Sequence, residues 1–252
     1  MSQQDSKSKS HRVEETTSRK VNKPKKSMSQ NVFLECCCQS ADDARQAEAA
    51  GASRIELCEQ LPLDGLTPSE ENVLSTLAAV SIPVNVLVRC RAGNFVYSDE
   101  EVERMAESIE RYRDLTITNS DGGVRRINGF VVGALTPSGD VDRKAMQRLL
   151  TAAHDRPVTF HRAFDVCRDP LEAYNDIASL GIARILTSGH APSALEGRDC
   201  LSRLVSLSRA AHGPVILVGG SVRPHNIQEL IAATSATEFH SACLAWNLIH
   251  YP

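Results

Sequence analysis

The chain is short of aromatic side chains, with six Phe, four Tyr and one Trp among 252 residues. So few rings leave little material for the stacking platforms on which single-stranded nucleic acids lie. The chain also lacks a charge excess of either sign: 28 Lys and Arg stand against 31 Asp and Glu, for a formal net charge of -3. No whole-chain field is present to hold a polyanion, so nucleic acid is not expected as a partner. Long hydrophobic runs are absent too. The longest, such as Val84 to Val88 and Val215 to Val218, are strand-sized, far below the roughly 18 residues of a spanning helix. No membrane insertion is expected. The N-terminus has no apolar secretory core, and Asp5, Glu14 and Glu15 disfavour an organelle presequence. A cytosolic location follows, in which thiols stay reduced. The eight cysteines, Cys36, Cys37, Cys38, Cys58, Cys90, Cys167, Cys200 and Cys243, therefore read as core, metal or redox residues and not as a disulfide framework.

What is present is 42% hydrophobic content, ample for a packed core. Residues 1–30 stand apart, with eight basic and three acidic residues and almost no large apolar side chains. They cannot bury a core and read as a disordered basic tail. The tail carries +5 and the remainder -8. Its Lys20 to Lys26 stretch reads as a solvated arm, with a weak nuclear-import signal as the alternative.

From Asn31 to the end, residues 31–252, a strand-then-helix unit recurs. The strand candidates are Val32 to Cys36, Arg54 to Cys58, Val84 to Val88, Gly129 to Ala134, Val158 to His161, Arg184 to Thr187, Val215 to Val218 and Thr237 to His240. Helix starts are signalled by Ser40, by Thr67 before Pro68 and Glu70, by Ser98 before Glu101, and by Pro224. Gly51 and Gly181 mark helix ends, while Pro83, Pro157 and Pro214 stand just before strands. Strict alternation implies right-handed crossovers and a parallel sheet. Eight such units favour an α/β fold of the TIM (β/α)8 barrel type over an open doubly wound sheet, which no G-x-G-x-x-G supports.

In such barrels chemistry gathers at the carboxyl ends of the strands. Strand one ends Glu35-Cys36-Cys37-Cys38 and strand two ends Glu56-Leu57-Cys58. Period-two alternation puts Glu35 with Cys37, and Glu56 with Cys58, on one face. If that face is the lumen, two carboxylates lie below two thiols on neighbouring strands, with Cys36 facing the helices. Arg89, His161, Arg162, Thr187, Ser188, Gly219, Gly220, Glu238 and His240 end the other strands. Buried carboxylates need cations, for which Arg89 and Arg162 are the obvious candidates.

Glu35 to Ser40, Arg54-Ile55-Glu56-Leu57-Cys58, Gly65-Leu66-Thr67-Pro68-Ser69, Val88 to Phe95, Tyr97-Ser98-Asp99, Thr159-Phe160-His161-Arg162-Ala163-Phe164-Asp165, Leu186-Thr187-Ser188-Gly189 and Glu238-Phe239-His240-Ser241 together resemble the copper homeostasis protein CutC family. The resemblance runs from Leu34 to about Ala242. It implies a TIM barrel and a cytoplasmic copper-binding protein that buffers, stores or delivers Cu(I), with Cys37 and Cys58 as the metal ligands. Cu(I) is soft and accepts two thiolates in near-linear coordination. The chain departs from the family in having Cys90, Ala92 and Asn94 where Pro, Gly and Asp are usual, so Asn94 receives no catalytic role.

Two other functions stay open on the sequence. The same mouth would suit an enzyme acting on a small, phosphorylated metabolite, with Glu35, Glu56, Arg89, His161, Asp165 and His240 as acid-base candidates. Gly219 and Gly220, with a helix opened by Pro224, would form half of an anion site. The basic tail alone would suit an interaction scaffold. Finally, strand eight should end near Ser241, leaving Leu244, Trp246, Leu248 and Ile249 among the residues that replace a full outer helix. The apolar groove so exposed should be covered by those residues, by the tail or by a second subunit, the last giving a homo-oligomer.

Overall fold

The computed structural model describes residues 32–118 and 122–242. The basic tail, the nuclear-import stretch, Cys243 and the C-terminal residues expected over the groove lie outside the described residues.

Ten strands are described: β1 (Phe33–Cys38), β2 (Arg54–Leu57), β3 (Val84–Leu87), β4 (Thr116–Thr118), β5 (Val124–Arg126), β6 (Gly129–Val132), β7 (Val158–Phe160), β8 (Arg184–Thr187), β9 (Val215–Val218) and β10 (Glu238–Ala242). Eight of them close a barrel in the order β1, β2, β3, β6, β7, β8, β9, β10, with β10 returning to β1. Closure is parallel, from Phe33 opposite Glu238 to Cys37 opposite Ala242. All eight expected strands are present, shifted at their ends by up to two residues. The antiparallel β4–β5 hairpin is additional. Its three-residue strands are exposed at alternate positions and lie outside the barrel, so they lack the apolar run that marks the others.

Seven helices separate the barrel strands among the described residues: α1 (Ala41–Ala49), α2 (Glu70–Ala79), α3 (Asp99–Asp114), α4 (Arg143–Ala153), α5 (Pro170–Ser179), α6 (Arg198–Ala211) and α7 (Ile227–Thr234). None of the described helices is long and apolar enough to cross a membrane. Ser40 caps α1, and Ser98 with Glu101 forms a full capping box on α3, as the sequence indicates. Two expected starts move. Ser69, not Thr67, caps α2; the Thr67 hydroxyl instead accepts from the Arg89 N–H at 2.9 Å and donates to its carbonyl at 3.1 Å. It thereby ties that loop to the end of β3. Helix α7 begins at Ile227, after a turn in which Asn226 accepts from the Arg223 N–H at 2.8 Å and donates to the Ser221 carbonyl at 2.9 Å. Pro224 thus opens the turn and not the helix.

Alternation along each strand divides the interior in two. Cys36, Cys38, Ile55, Leu57, Val86, Phe130 and Phe160 belong to the large core between sheet and helices. Inside the barrel, Cys37, Cys58, Leu87 and Val131 form a small separate apolar cluster. The parity expected from Glu-x-Cys therefore holds, with Cys36 turned to the helices.

Candidate metal centre

Below that inner cluster the lumen is charged. Arg54 opens β2, two residues before Glu56, and its side chain is 2% exposed. Its Nε donates to Glu35, which is fully buried, and its Nη2 donates to Glu238 at 3.0 Å. Arg184 on β8 donates to the same Glu238 oxygen at 2.9 Å. The Arg54 guanidinium also lies 4.6 Å from the centre of the Phe33 ring. The cations that neutralise the buried carboxylates are thus Arg54 and Arg184, not the expected Arg89 and Arg162. Strand parity explains the exchange: Arg54 shares the inward face with Glu56, whereas Arg162 lies beyond β7 and turns to Asp165 at 2.8 Å.

His240 joins this floor to the thiols. Its Nδ1–H donates to Glu35 at 2.8 Å and stands 4.0 Å from Glu56 Oε2. Burial opposes charge on Glu35, but the His240 hydrogen bond and the Arg54 charge outweigh it and hold the carboxyl at about 2. Burial also opposes charge on His240, yet the Glu56 charge and the bond to Glu35 raise its pKa above the usual imidazole value. Among the described residues Glu56 has no ion pair closer than the 4.0 Å approach of His240 Nδ1. Burial and the Glu35 charge push it to about 7, against the pull of His240. Environment has separated two carboxyls on neighbouring strands.

On top of this network the sulfurs of Cys37 and Cys58 are 3.5 Å apart. The hydrogen bond to Cys58, burial and the Glu56 charge all raise the Cys37 thiol well above its ordinary pKa. Ligating atoms of Cys37, Glu56 and His240 lie within 4.8 Å of one another. Glu56 Oε2 is buried without a hydrogen-bond partner. Two soft sulfurs, an imidazole and an orphaned carboxylate oxygen make a donor set suited to a thiophilic ion. The sulfur separation is less than twice a metal–thiolate bond, roughly 2.3 Å for zinc. The pair as it stands would meet an ion from one side, with Glu56 and His240 placed to supply a third donor.

The other expected residues lie elsewhere. Asp165 accepts from the Thr187 hydroxyl, from the Ser188 N–H at 3.0 Å and from the His190 N–H at 3.3 Å, in addition to Arg162. It fastens the loop after β8. Arg89 and His161 form a second polar group against Phe95, with ring centres of Phe95 and His161 4.9 Å apart. Gly219 donates its N–H to the Thr187 carbonyl at 2.9 Å, so one of the two N–H groups expected to hold an anion is already engaged. A Cβ at Gly219 would meet Leu186 at 2.5 Å and one at Gly220 would meet Ser188 at 2.7 Å, so both positions need close backbone approach. Asn94 is exposed and accepts from Arg91.

The chain matches the model of the CutC family over residues 32–245. A CutC family protein of Porphyromonas gingivalis W83 is 42% identical over 210 residues, 83% of this chain and 79% of its own. A crystal structure from Streptococcus agalactiae, provisionally described as a copper homeostasis protein CutC, superposes with a TM-score of 0.74 at 31% identity. That match covers 83% of this chain and 97% of the other. A Burkholderia cenocepacia protein, provisionally described as a phosphonomutase, gives a TM-score of 0.57 at 16% identity, covering 84% of this chain and 87% of its own. That likeness concerns the barrel alone.

Proposed function

The chain belongs to the CutC family, and from that premise we propose that it takes part in copper homeostasis by binding Cu(I) through Cys37 and Cys58. The observation that carries the reading is the 3.5 Å pair of inward sulfurs, adjoined by His240 and by the orphaned oxygen of Glu56. Thiolates are the preferred ligands of Cu(I), and an imidazole is an acceptable third. The raised Cys37 pKa means that the thiol keeps its proton at neutral pH, so loading expels protons. Glu56, pushed to about 7, and His240, raised above the usual imidazole value by the Glu56 charge and the bond to Glu35, stand beside the Cys37 thiol as groups that can take up such a proton.

The reading needs a reducing compartment, in keeping with the cytosolic location expected from the sequence, and assigns the work to residues 31–252 with residues 1–30 as an appended arm. Anaerobic chelator competition tests it: the Cys37→Ala, Cys58→Ala double variant should lose most of the Cu(I) bound by the unaltered chain. Unchanged stoichiometry in a folded double variant would defeat the reading.

A further inference from the structure

Arg89 is a buried cation without a counterion. It is 3% exposed, yet its Nη groups donate to neutral carbonyls, those of Leu63 at 2.9 Å, Gly65 at 3.2 Å and Gly93 at 2.9 Å, and its side-chain neighbour is the buried hydroxyl of Tyr97. Among the described residues no carboxylate forms an ion pair with it, and its Nε–H, also buried, has no hydrogen-bond partner. A buried charge of this kind is costly unless something neutralises it. Arg54, by contrast, has two carboxylates.

His161 presents the same deficit. It is 5% exposed. Its Nδ1 accepts from the Ala163 N–H at 3.2 Å, which makes that nitrogen the unprotonated one and leaves the hydrogen on Nε2. That Nε2 is buried and unpartnered. Burial and the Arg89 charge lower the ring's pKa to about 3, so at neutral pH it is a neutral donor.

The two donors belong to one row of the barrel mouth. The registers Leu87 with Val131 and Val132 with Phe160, continued past the strand ends, bring Arg89, Gly133 and His161 side by side across β3, β6 and β7. The His161 N–H bond to the Val132 carbonyl, 2.9 Å, carries the ladder that far. Gly133 has no side chain to part its neighbours, and a Cβ there would meet the His161 ring at 2.6 Å. Phe95 lies against both, 5.0 Å from the Arg89 guanidinium to the ring centre.

We propose that Arg89 and His161 form an oxyanion-binding subsite for a carboxylate or phosphoryl group carried by a small molecule. The site is separate from the thiol pair: its ligand needs charge-assisted N–H donors and not soft sulfur. It does not use the Gly219–Gly220 turn. Phosphate and carboxylate present the same oxygen acceptors, and the test distinguishes them.

The test is titration of the full chain, without copper, with inorganic phosphate in one arm and acetate in the other. The histidine ring signals are followed by nitrogen-15 NMR. One anion should bind saturably and shift the His161 Nε2–H resonance. His161→Phe, which removes the N–H and keeps the ring, should weaken that binding about tenfold or more, as loss of a hydrogen bond to a charged group does. Arg89→Gln should abolish it; if that variant does not fold, because Arg89 also braces three loop carbonyls, His161→Phe decides. Absence of saturable binding by either anion, or equal binding in His161→Phe, would overturn the proposal. Since copper is left out, the outcome is independent of the copper reading.

Discussion

The sulfurs of Cys37, on β1, and Cys58, just past the end of the neighbouring β2, are 21 residues apart in the chain and approach to 3.5 Å inside the barrel. Glu56 and His240 bring their polar atoms within 4.8 Å of the Cys37 sulfur, and Glu35, itself held by Arg54, fixes the imidazole by hydrogen bond. In the strand register Glu35 stands level with Arg54 and His240, and Cys37 level with Glu56. Arg54 and His240 hold Glu35 ionised, Glu56 and Glu35 raise His240, and Cys58, burial and the Glu56 charge raise Cys37.

Arg54→Met should test the floor. It leaves Glu35 and Glu238 buried with one cation fewer, and breaking a buried pair in this way costs about 3–5 kcal/mol. Urea denaturation should show the loss. A change below about 1 kcal/mol would mean that the floor is hydrated.

The two central glutamates give opposite pH dependences. Glu35, lowered from 4.5 to about 2, adds stability that is full above pH 4.5 and is lost as pH falls toward 2. Glu56, raised from 4.5 to about 7, keeps a proton in the folded chain after the unfolded chain has released it. Its contribution therefore makes stability fall as pH rises from 4.5 to about 7. At about 1.4 kcal/mol per unit, Glu56→Gln should gain on the unaltered chain by up to about 3 kcal/mol across that window. A stability difference independent of pH would contradict the assignment.

Gly133→Ala should push the His161 ring aside, since the new methyl would lie 2.6 Å from Nδ1. Overpacking of this kind costs about 1–3 kcal/mol. The His161 ring signals should move, and an unchanged spectrum would show that the ring does not rest on this glycine.

Much of this architecture was legible in the sequence because the barrel imposes period two on every strand. Period two places Glu35 with Cys37, and Glu56 with Cys58, on one face of each strand from the sequence alone. The same arithmetic reaches Arg54, two residues before Glu56, but a cation at a strand's first residue reads as a solvated end until closure of the barrel buries it. The joining of His240 to Cys37 and Glu56 could not be read, since it depends on β10 returning to β1. Asp165 stands in a highly specific motif, yet its oxygens are occupied by Thr187, Ser188, His190 and Arg162. Motif membership did not distinguish a loop clamp from a reactive acid. Thr67 misled in a similar way, its hydroxyl serving β3 and not the helix.

His240→Gln should weaken Cu(I) binding without removing it. Loss of one supporting donor or orienting group near a metal costs about ten- to a hundredfold in affinity. Chelator competition would measure this, with unchanged affinity showing that His240 serves only Glu35.

The proposed copper binding requires both thiolates, of Cys37 and Cys58, to hold the metal. Copper K-edge X-ray absorption on the anaerobically loaded chain tests it most directly. The prediction is sulfur scattering from two ligands with a lighter nitrogen or oxygen neighbour, the sulfur contribution vanishing in the Cys37→Ala, Cys58→Ala variant. A spectrum with nitrogen and oxygen neighbours alone, or one unaltered in that variant, would contradict it.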